Sequence, residues 1–269
     1  MEKKRPFLKW AGNKYQCIHH ILDALPASNR LIEPFVGSGA VFLNSNYEHY
    51  LLGEQNKDLI HLYQCVKHER QEFIAYCRAF FNEQHNQESV YYNLRAEFNQ
   101  TTDKRHRSAL FLYLNRHGYN GLCRYNKSGL YNVPFGRYKK PYFPEKEMLF
   151  FAEKSQTTDF LIADFKKTFS MAKAGDIVYC DPPYAPLSQH SNFTSYTSIP
   201  FGQKEQIKLA ELAATCADRG AVVVISNHNT EFTRHHYRYA EIKTFPVKRF
   251  INCKGNARKP VDELVAIFR

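Results

Sequence analysis

The sequence predicts an α/β fold, a doubly wound mixed sheet interrupted by an inserted, mainly helical module with a hairpin. Three observations predict it. Apolar runs of strand length alternate with helical patterns at both ends of the chain. The run from Ala221 to Ser226 has the unbroken apolar character of a strand buried on both faces. Between about residues 56 and 144 the alternation stops, and helical patterns and aromatic turns replace it.

Residues 30–33 read as the first strand, followed by a glycine-containing turn and a helix over 40–46. A second strand covers 50–53, and Asn56 is placed to cap a helix running to His68. Further helices fit 71–81, 88–98 and 105–116; the last groups Leu110, Leu112, Tyr113 and Leu114, so it is largely buried. Asn120-Gly121 and Ser128-Gly129 are hairpin signals within the turn-rich stretch 118–136. Beyond Pro144 the alternation resumes, with a helix over 145–156 and strands over 158–162 and 177–180. An amphipathic helix over 203–219 is stopped by Gly220, and the strand 221–226 follows. Runs at 241–250 and 261–268 close the sheet as an antiparallel hairpin. Residues 1–55 and 145–269 thus form one α/β domain, and 56–144 an insertion.

Charge singles out the insertion. Of a net charge of +11, the window from Lys104 to Pro144 supplies +9, with nine Lys or Arg residues and no Asp or Glu. Nine Phe or Tyr residues are interleaved with them. Concentrated charge with aromatics suits a polyanion whose bases can be stacked upon; the alternative is a solvated positive face with aromatics packed behind it. Seven cysteines (Cys17, Cys65, Cys77, Cys123, Cys180, Cys216 and Cys253) show no C-x-x-C spacing. That odd count, without a signal peptide or an apolar run near 18 residues, predicts a cytoplasmic chain with reduced thiols, no membrane partner and no metal.

The chemistry concentrates after the strand 177–180, where the chain runs into Asp181-Pro182-Pro183-Tyr184. Two prolines cannot continue a ladder, so a rigid bend forms at the carboxyl end of a strand, where open α/β sheets bind ligands. It offers a carboxylate, the Pro182 carbonyl and an aromatic face: two acceptors for the N–H bonds of a planar amine, and a ring to stack on it. Chemistry on the exocyclic amino group of a base is the reading.

A second loop, Phe35-Val36-Gly37-Ser38-Gly39, follows the first strand; Gly37 and Gly39 allow close approach of a ligand to the backbone. Glu54 ends the next strand, where a carboxylate can accept both hydroxyls of a ribose. With no G-x-G-x-x-G and no P-loop lysine, a nucleoside bearing a zwitterionic tail fits better than a dinucleotide, which points to S-adenosylmethionine. Lys14 can meet the tail's carboxylate and Trp10 its apolar part, although on residues alone the favoured reading is Trp10 as a core anchor and Lys14 as a surface residue. Asp164-Phe165 can pair with and stack on the adenine, or Asp164 can simply cap a helix.

Phe7-Leu8-Lys9-Trp10-Ala11-Gly12, Glu33-Pro34-Phe35-Val36-Gly37-Ser38-Gly39 and Asp181-Pro182-Pro183-Tyr184, in that order with an insertion before the last, resemble the amino-methyltransferases that act on N6 of adenine in DNA. Leu114 to Asn126 and Asn132 to Tyr138 further resemble the GATC-specific DNA adenine methylase family, and the likeness spans nearly the whole chain. The resemblance implies a Rossmann-like, S-adenosylmethionine-dependent fold whose insertion recognises double-stranded DNA. It implies that Asp181 and the Pro182 carbonyl accept the amino protons while Tyr184 stacks on an adenine flipped out of the duplex. Tyr119 and Asn120 would wedge into the base stack, and Leu122 and Pro134 would touch a thymine methyl. Arg124 would read a guanine through O6 and N7, Lys9 and Tyr138 the outer guanine, and Arg137 a phosphate. A monomer associated with the nucleoid is expected. The rival readings are a methyltransferase on an RNA adenine or a protein glutamine, and a non-catalytic DNA-binding relative.

The sequence departs from the family pattern at Glu54 (usually Asp), Asn13 (usually Gly), Leu130-Tyr131 (often an acidic-aromatic pair) and Asn229 (often Asp). None removes a group assigned to chemistry.

Overall fold

The computed structural model describes residues 2–184, 201–247 and 261–269. One sheet of seven strands organises them. β1 (Arg30–Glu33), β2 (His49–Glu54), β3 (Thr158–Ile162), β4 (Ile177–Cys180) and β5 (Val222–His228) run parallel in the order β3-β2-β1-β4-β5. β7 (Val261–Phe268) then lies antiparallel between β5 and the edge strand β6 (Glu241–Val247). The chain steps outward from β1 through β2 to β3 and returns to build β4 on the other side of β1. A topological switch point therefore falls between the carboxyl ends of β1 and β4, the position at which such sheets bind ligands. Residues 248–250, expected to extend β6, lie outside the described residues.

Alternate side chains of the central strands feed two apolar layers. Ile177, Tyr179 and Val224 join one cluster, and Val178, Cys180, Val223 and Ile225 the other. The second layer is covered by α7 (Phe165–Ser170) and α8 (Gln203–Asp218), which contribute Phe165, Phe169, Leu209 and Ala213. The first is covered by α1 (Ile18–Leu22), α2 (Ala40–Asn44), α3 (Lys57–Arg78) and α6 (Glu145–Lys154).

The remaining helices of the insertion are α4 (Glu88–Gln100) and α5 (Lys104–His117), and outside it the short helix α9 spans Glu231–His236. Asn56 caps α3 by accepting from the Asp58 and Leu59 amides, as its position predicts. The two helices expected over 57–68 and 71–81 form a single run broken at Arg70, where φ is 48°. α5 is buried along nearly its whole length, because it packs against α3 on one side and α4 on the other. Phe7 from the N-terminal segment meets Tyr63 of α3 and Phe151 of α6 edge-to-face at 5.7 and 5.1 Å. The first apolar cluster is thus continuous from the sheet into the insertion.

Two expectations need correction. Asn120-Gly121 does not close a two-residue hairpin. It forms a 3₁₀ turn (Tyr119–Gly121) with positive φ at both residues, and Gly118 bridges to Phe135 instead. Ser128-Gly129 does close a hairpin turn, with Tyr125 bridging to Tyr131 and the Asn126 side chain accepting from the Ser128 and Leu130 amides. Nor does all the charge of the basic window face solvent. Arg105 pairs with Glu69, Arg107 with Asp58, and the Arg116 guanidinium donates inward to the Tyr142 carbonyl. The short helices α1, α7 and α9, of five or six residues each, carry too little periodicity to be seen in the sequence.

Arg107 grips Asp58 with two bonds, Nε to Oδ1 at 2.6 Å and Nη2 to Oδ2 at 3.1 Å, and Tyr125 donates to Oδ2 at 2.7 Å. The Asp58 side chain is 3% exposed. Arg107→Leu strands that carboxylate and is expected to cost about 3 kcal/mol of stability, read as a lowered denaturation midpoint. DNA affinity of the folded variant should be unchanged.

Candidate active site and nucleic-acid face

The turn after β1 is held open by glycine. Gly37 and Gly39 have φ of 47° and 72°, conformations that disfavour a side chain. A Cβ on Gly37 would also lie 2.9 Å from Nε1 of Trp10, so the indole packs directly on the turn. Tyr63 donates its hydroxyl to the Gly37 carbonyl at 2.5 Å, and the Gly37 amide points to Glu54 Oε2 at 3.4 Å. Glu54 also accepts from the Gln55 and Asn56 amides. Burial raises its carboxyl above the ordinary value while these amides pull it down. Glu33, beneath the turn, is buried with Oε1 unpartnered among the described residues. Burial pushes its carboxyl well above the usual range, which favours the neutral form.

Asp164 caps α7 through the Lys167 amide at 3.1 Å, so its helix-cap role is realised. Phe165 stacks on Phe35 with centroids 5.5 Å apart. Phe201 meets both rings edge-on; nothing in its sequence neighbourhood singles it out.

Across the switch point, the bend after β4 is fixed from behind. Gln206 of α8 donates to the Pro183 carbonyl at 2.7 Å and accepts from Asn227, which also contacts the Tyr237 hydroxyl. Asp181 leans into a buried polar group. Its Oδ1 pairs with Lys14 Nζ at 3.0 Å and accepts from Ser226 Oγ at 3.1 Å, and Ser226 in turn contacts the Tyr179 hydroxyl. Lys14 also donates to the Gly12 carbonyl and lies over the Tyr184 ring, 4.4 Å from its centroid. It is buried, not a surface residue, and its ammonium rests on Asp181. Burial raises the Asp181 carboxyl, and the Lys14 charge opposes that rise. Burial by itself would lower the Lys14 ammonium; Asp181 and then Glu263 outweigh it and hold it above its usual value. Nothing local in the sequence marks Ser226 or Glu263 for the site, because each acts across strands far apart in the chain.

The residues expected to read DNA gather around the 3₁₀ turn. Tyr119 is 51% exposed, and Asn120, Arg124, Pro134 and Arg137 are exposed as well. Leu122 is half-buried beneath them. The Tyr138 hydroxyl accepts from the Asn120 amide at 3.0 Å, and Lys9 Nζ sits 4.1 Å from the Tyr138 ring centroid. Lys9 and Tyr138 are thus neighbours although 129 residues separate them. Arg124 is oriented by Asn132, accepting its Nε–H at 2.8 Å and its Nη2–H at 3.2 Å. Arg137 has φ of 52° and reaches outward, its only charged neighbour among the described residues being Glu88 at 3.6 Å.

Asn115, buried on α5, ties this turn to the N-terminal segment. It accepts from the Lys9 amide at 3.0 Å and donates to the Lys9 and Gly121 carbonyls at 2.7 and 3.2 Å. The approach is close enough that a Cβ on Gly121 would overlap the Lys9 side chain.

A mixed sheet with a parallel core, a glycine turn and an acidic Pro-Pro-Tyr bend at its switch point defines a Rossmann-like amino-methyltransferase. The profile of the D12 class N6 adenine-specific DNA methyltransferases matches residues 10–250, and the chain belongs to that family. It is 49% identical over 269 residues to the DNA adenine methylase of Vibrio cholerae and 48% to that of Escherichia coli, covering all of this chain and 97% of each relative. The DNA adenine methylase of Serratia marcescens is 49% identical over 270 residues, with both chains covered in full. The protein is accordingly an adenine-specific DNA methyltransferase that uses a methyl donor and a DNA substrate. Among the described residues no helix is long and apolar enough to cross a membrane, and no group of side chains is arranged to hold a metal ion.

With its carboxyl already raised, Asp181 should place the acid limb of the methylation rate above the range of a free carboxylate. Lys14→Met removes the charge that opposes this rise, so the limb should move to still higher pH in a kcat profile at saturating substrates. An unmoved limb would separate the two groups functionally.

Proposed function

We propose that the protein transfers a methyl group from S-adenosylmethionine to N6 of adenine within GATC in duplex DNA, after flipping the adenine out of the helix. One observation carries this reading: the short segment from Lys9 to Lys14 touches the recognition turn through Lys9, the glycine turn through Trp10 and the Pro-Pro bend through Lys14. DNA reading, donor binding and the amino-group acceptors are thereby held in one frame.

The residues at the glycine turn fit the donor. Trp10 lies on Gly37, Glu54 presents a recessed carboxylate for the ribose, and Phe35, half-buried and stacked on the buried Phe165, would offer a flat apolar face for a purine. Asp164, at the end of β3, would meet the amino group of that purine. When bound, the donor supplies an electrophilic methyl group. The protein makes the acceptor nitrogen nucleophilic. An aromatic amine delocalises its lone pair into the ring. Asp181 and the Pro182 carbonyl would accept its two N–H bonds, drawing the nitrogen towards pyramidal geometry. Both contacts to Asp181 among the described residues fall on Oδ1, which suits Oδ2 to the amine. The Pro183 carbonyl is engaged by Gln206, and of the two proline carbonyls the one without a partner among the described residues is that of Pro182. Tyr184 would stack on the base and keep it aligned for direct attack, proximity supplying much of the acceleration.

On the DNA, Tyr119 and Asn120 would fill the space left by the flipped base. Leu122 and Pro134 would contact a thymine methyl, Arg124 one guanine, Lys9 with Tyr138 the outer guanine at the other end of the site, and Arg137 a phosphate. The hold of Asn132 on Arg124 leaves the end of the guanidinium fork to face a guanine edge.

Plasmid from a methylation-deficient host expressing this chain should resist restriction enzymes blocked by methylated GATC and be cut by those that require it. Asp181→Ala should abolish this while retaining part of the donor affinity; full methylation by that variant would refute the assignment. Arg124→Ala should relax discrimination at one guanine by about 1–3 kcal/mol, read as the ratio of kcat/KM on GATC and on sites altered at that base.

A further inference from the structure

Tyr184 is held through its hydroxyl as well as its ring. The hydroxyl donates to Glu263 Oε2 at 2.9 Å, His228 meets the ring edge-to-face at 4.6 Å, and Lys14 lies over one face. Glu263 stands on β7 directly opposite His228 of β5 in the antiparallel register. A carboxylate on a paired strand is a fixed point, whereas a tyrosine just past two prolines has side-chain torsions still to be set. The phenolic O–H lies in the plane of the ring, so a fixed acceptor defines both where the ring sits and how it is turned. A charged acceptor makes that bond one of the stronger kind.

We infer that Glu263 is a positioning residue for methyl transfer, setting the plane of Tyr184 on which the adenine stacks. The inference rests on the proposed roles of Asp181 and Tyr184. It assigns Glu263 no contact with the base: its effect passes through the tyrosine hydroxyl. That makes it separable from a structural role in the β5–β7 pairing, which would persist when the hydroxyl is removed.

The test is single-turnover methylation of a GATC duplex at saturating DNA and S-adenosylmethionine by wild type, Glu263→Ala, Tyr184→Phe and the double variant. Each single variant should be slower by about tenfold, the loss of one charge-assisted hydrogen bond from the reacting arrangement. Donor and DNA affinities should stay near wild type. The double variant should be no slower than Tyr184→Phe, and Glu263→Gln, which keeps an acceptor, should recover part of the loss. Effects that multiply in the double variant, or a Tyr184→Phe rate equal to wild type, would overturn the inference. Should Glu263→Ala fail to fold, Tyr184→Phe decides. A wild type that leaves DNA adenine unmethylated would instead remove the functional reading, and this inference with it.

Discussion

Six residues near the start of the chain, Lys9 to Lys14, must satisfy three separate neighbours at once, and the rest of the molecule is arranged around that demand. The Lys9 side chain has to lie against the Gly121 backbone, where a Cβ would collide with it, and an indole has to lie on Gly37. Four residues further on, an ammonium has to reach the carboxylate of Asp181 in a buried setting. Charge burial of this kind is tolerated only with close geometry and additional hydrogen bonds. Both are present, in the Gly12 carbonyl on Lys14 and the Ser226 hydroxyl on Asp181.

This arrangement explains why some parts of the site were legible in the sequence and others were not. The Pro-Pro bend is local chemistry: ring geometry and missing N–H groups are properties of the residues themselves, and strand β4 ends where they begin. The strands were legible for the same reason, since a two-residue period and an unbroken apolar run survive in any context. Asn56 as a cap belongs to this class too. Partners that arrive from elsewhere in the chain leave no such mark. Asn115 serves Lys9 across 106 residues, Glu263 serves Tyr184 across 79, and Ser226 serves Asp181 across 45. Composition gave the sign of the basic window correctly but not its allocation. An arginine that neutralises Asp58 inside the insertion and one that faces solvent carry the same charge in a count, and only packing tells them apart.

The bend itself owes its stiffness to more than proline. Behind it, Gln206, Asn227 and Tyr237 form a buried chain of hydrogen bonds ending on the Pro183 carbonyl. A satisfied polar network in the interior specifies one arrangement, since any displacement leaves a group without its partner at low dielectric. On the opposite side of the switch point the glycine turn is fixed by Tyr63 and Glu54. Both loops are thus anchored to the scaffold by side chains drawn from helices and strands, leaving their forward surfaces for ligands.

The placement of β7 has a bearing on how the enzyme comes into being. This strand slots between β5 and β6 although it is made after both, so the sheet stays split until the segment carrying β7 has been made. A ribosome that has just finished β6 has already produced every residue of the Asp-Pro-Pro-Tyr bend, yet the carboxylate that steadies the tyrosine is still to come. A nascent chain that has reached only β6 therefore lacks the tyrosine's partner, and completion of this arrangement waits for β7.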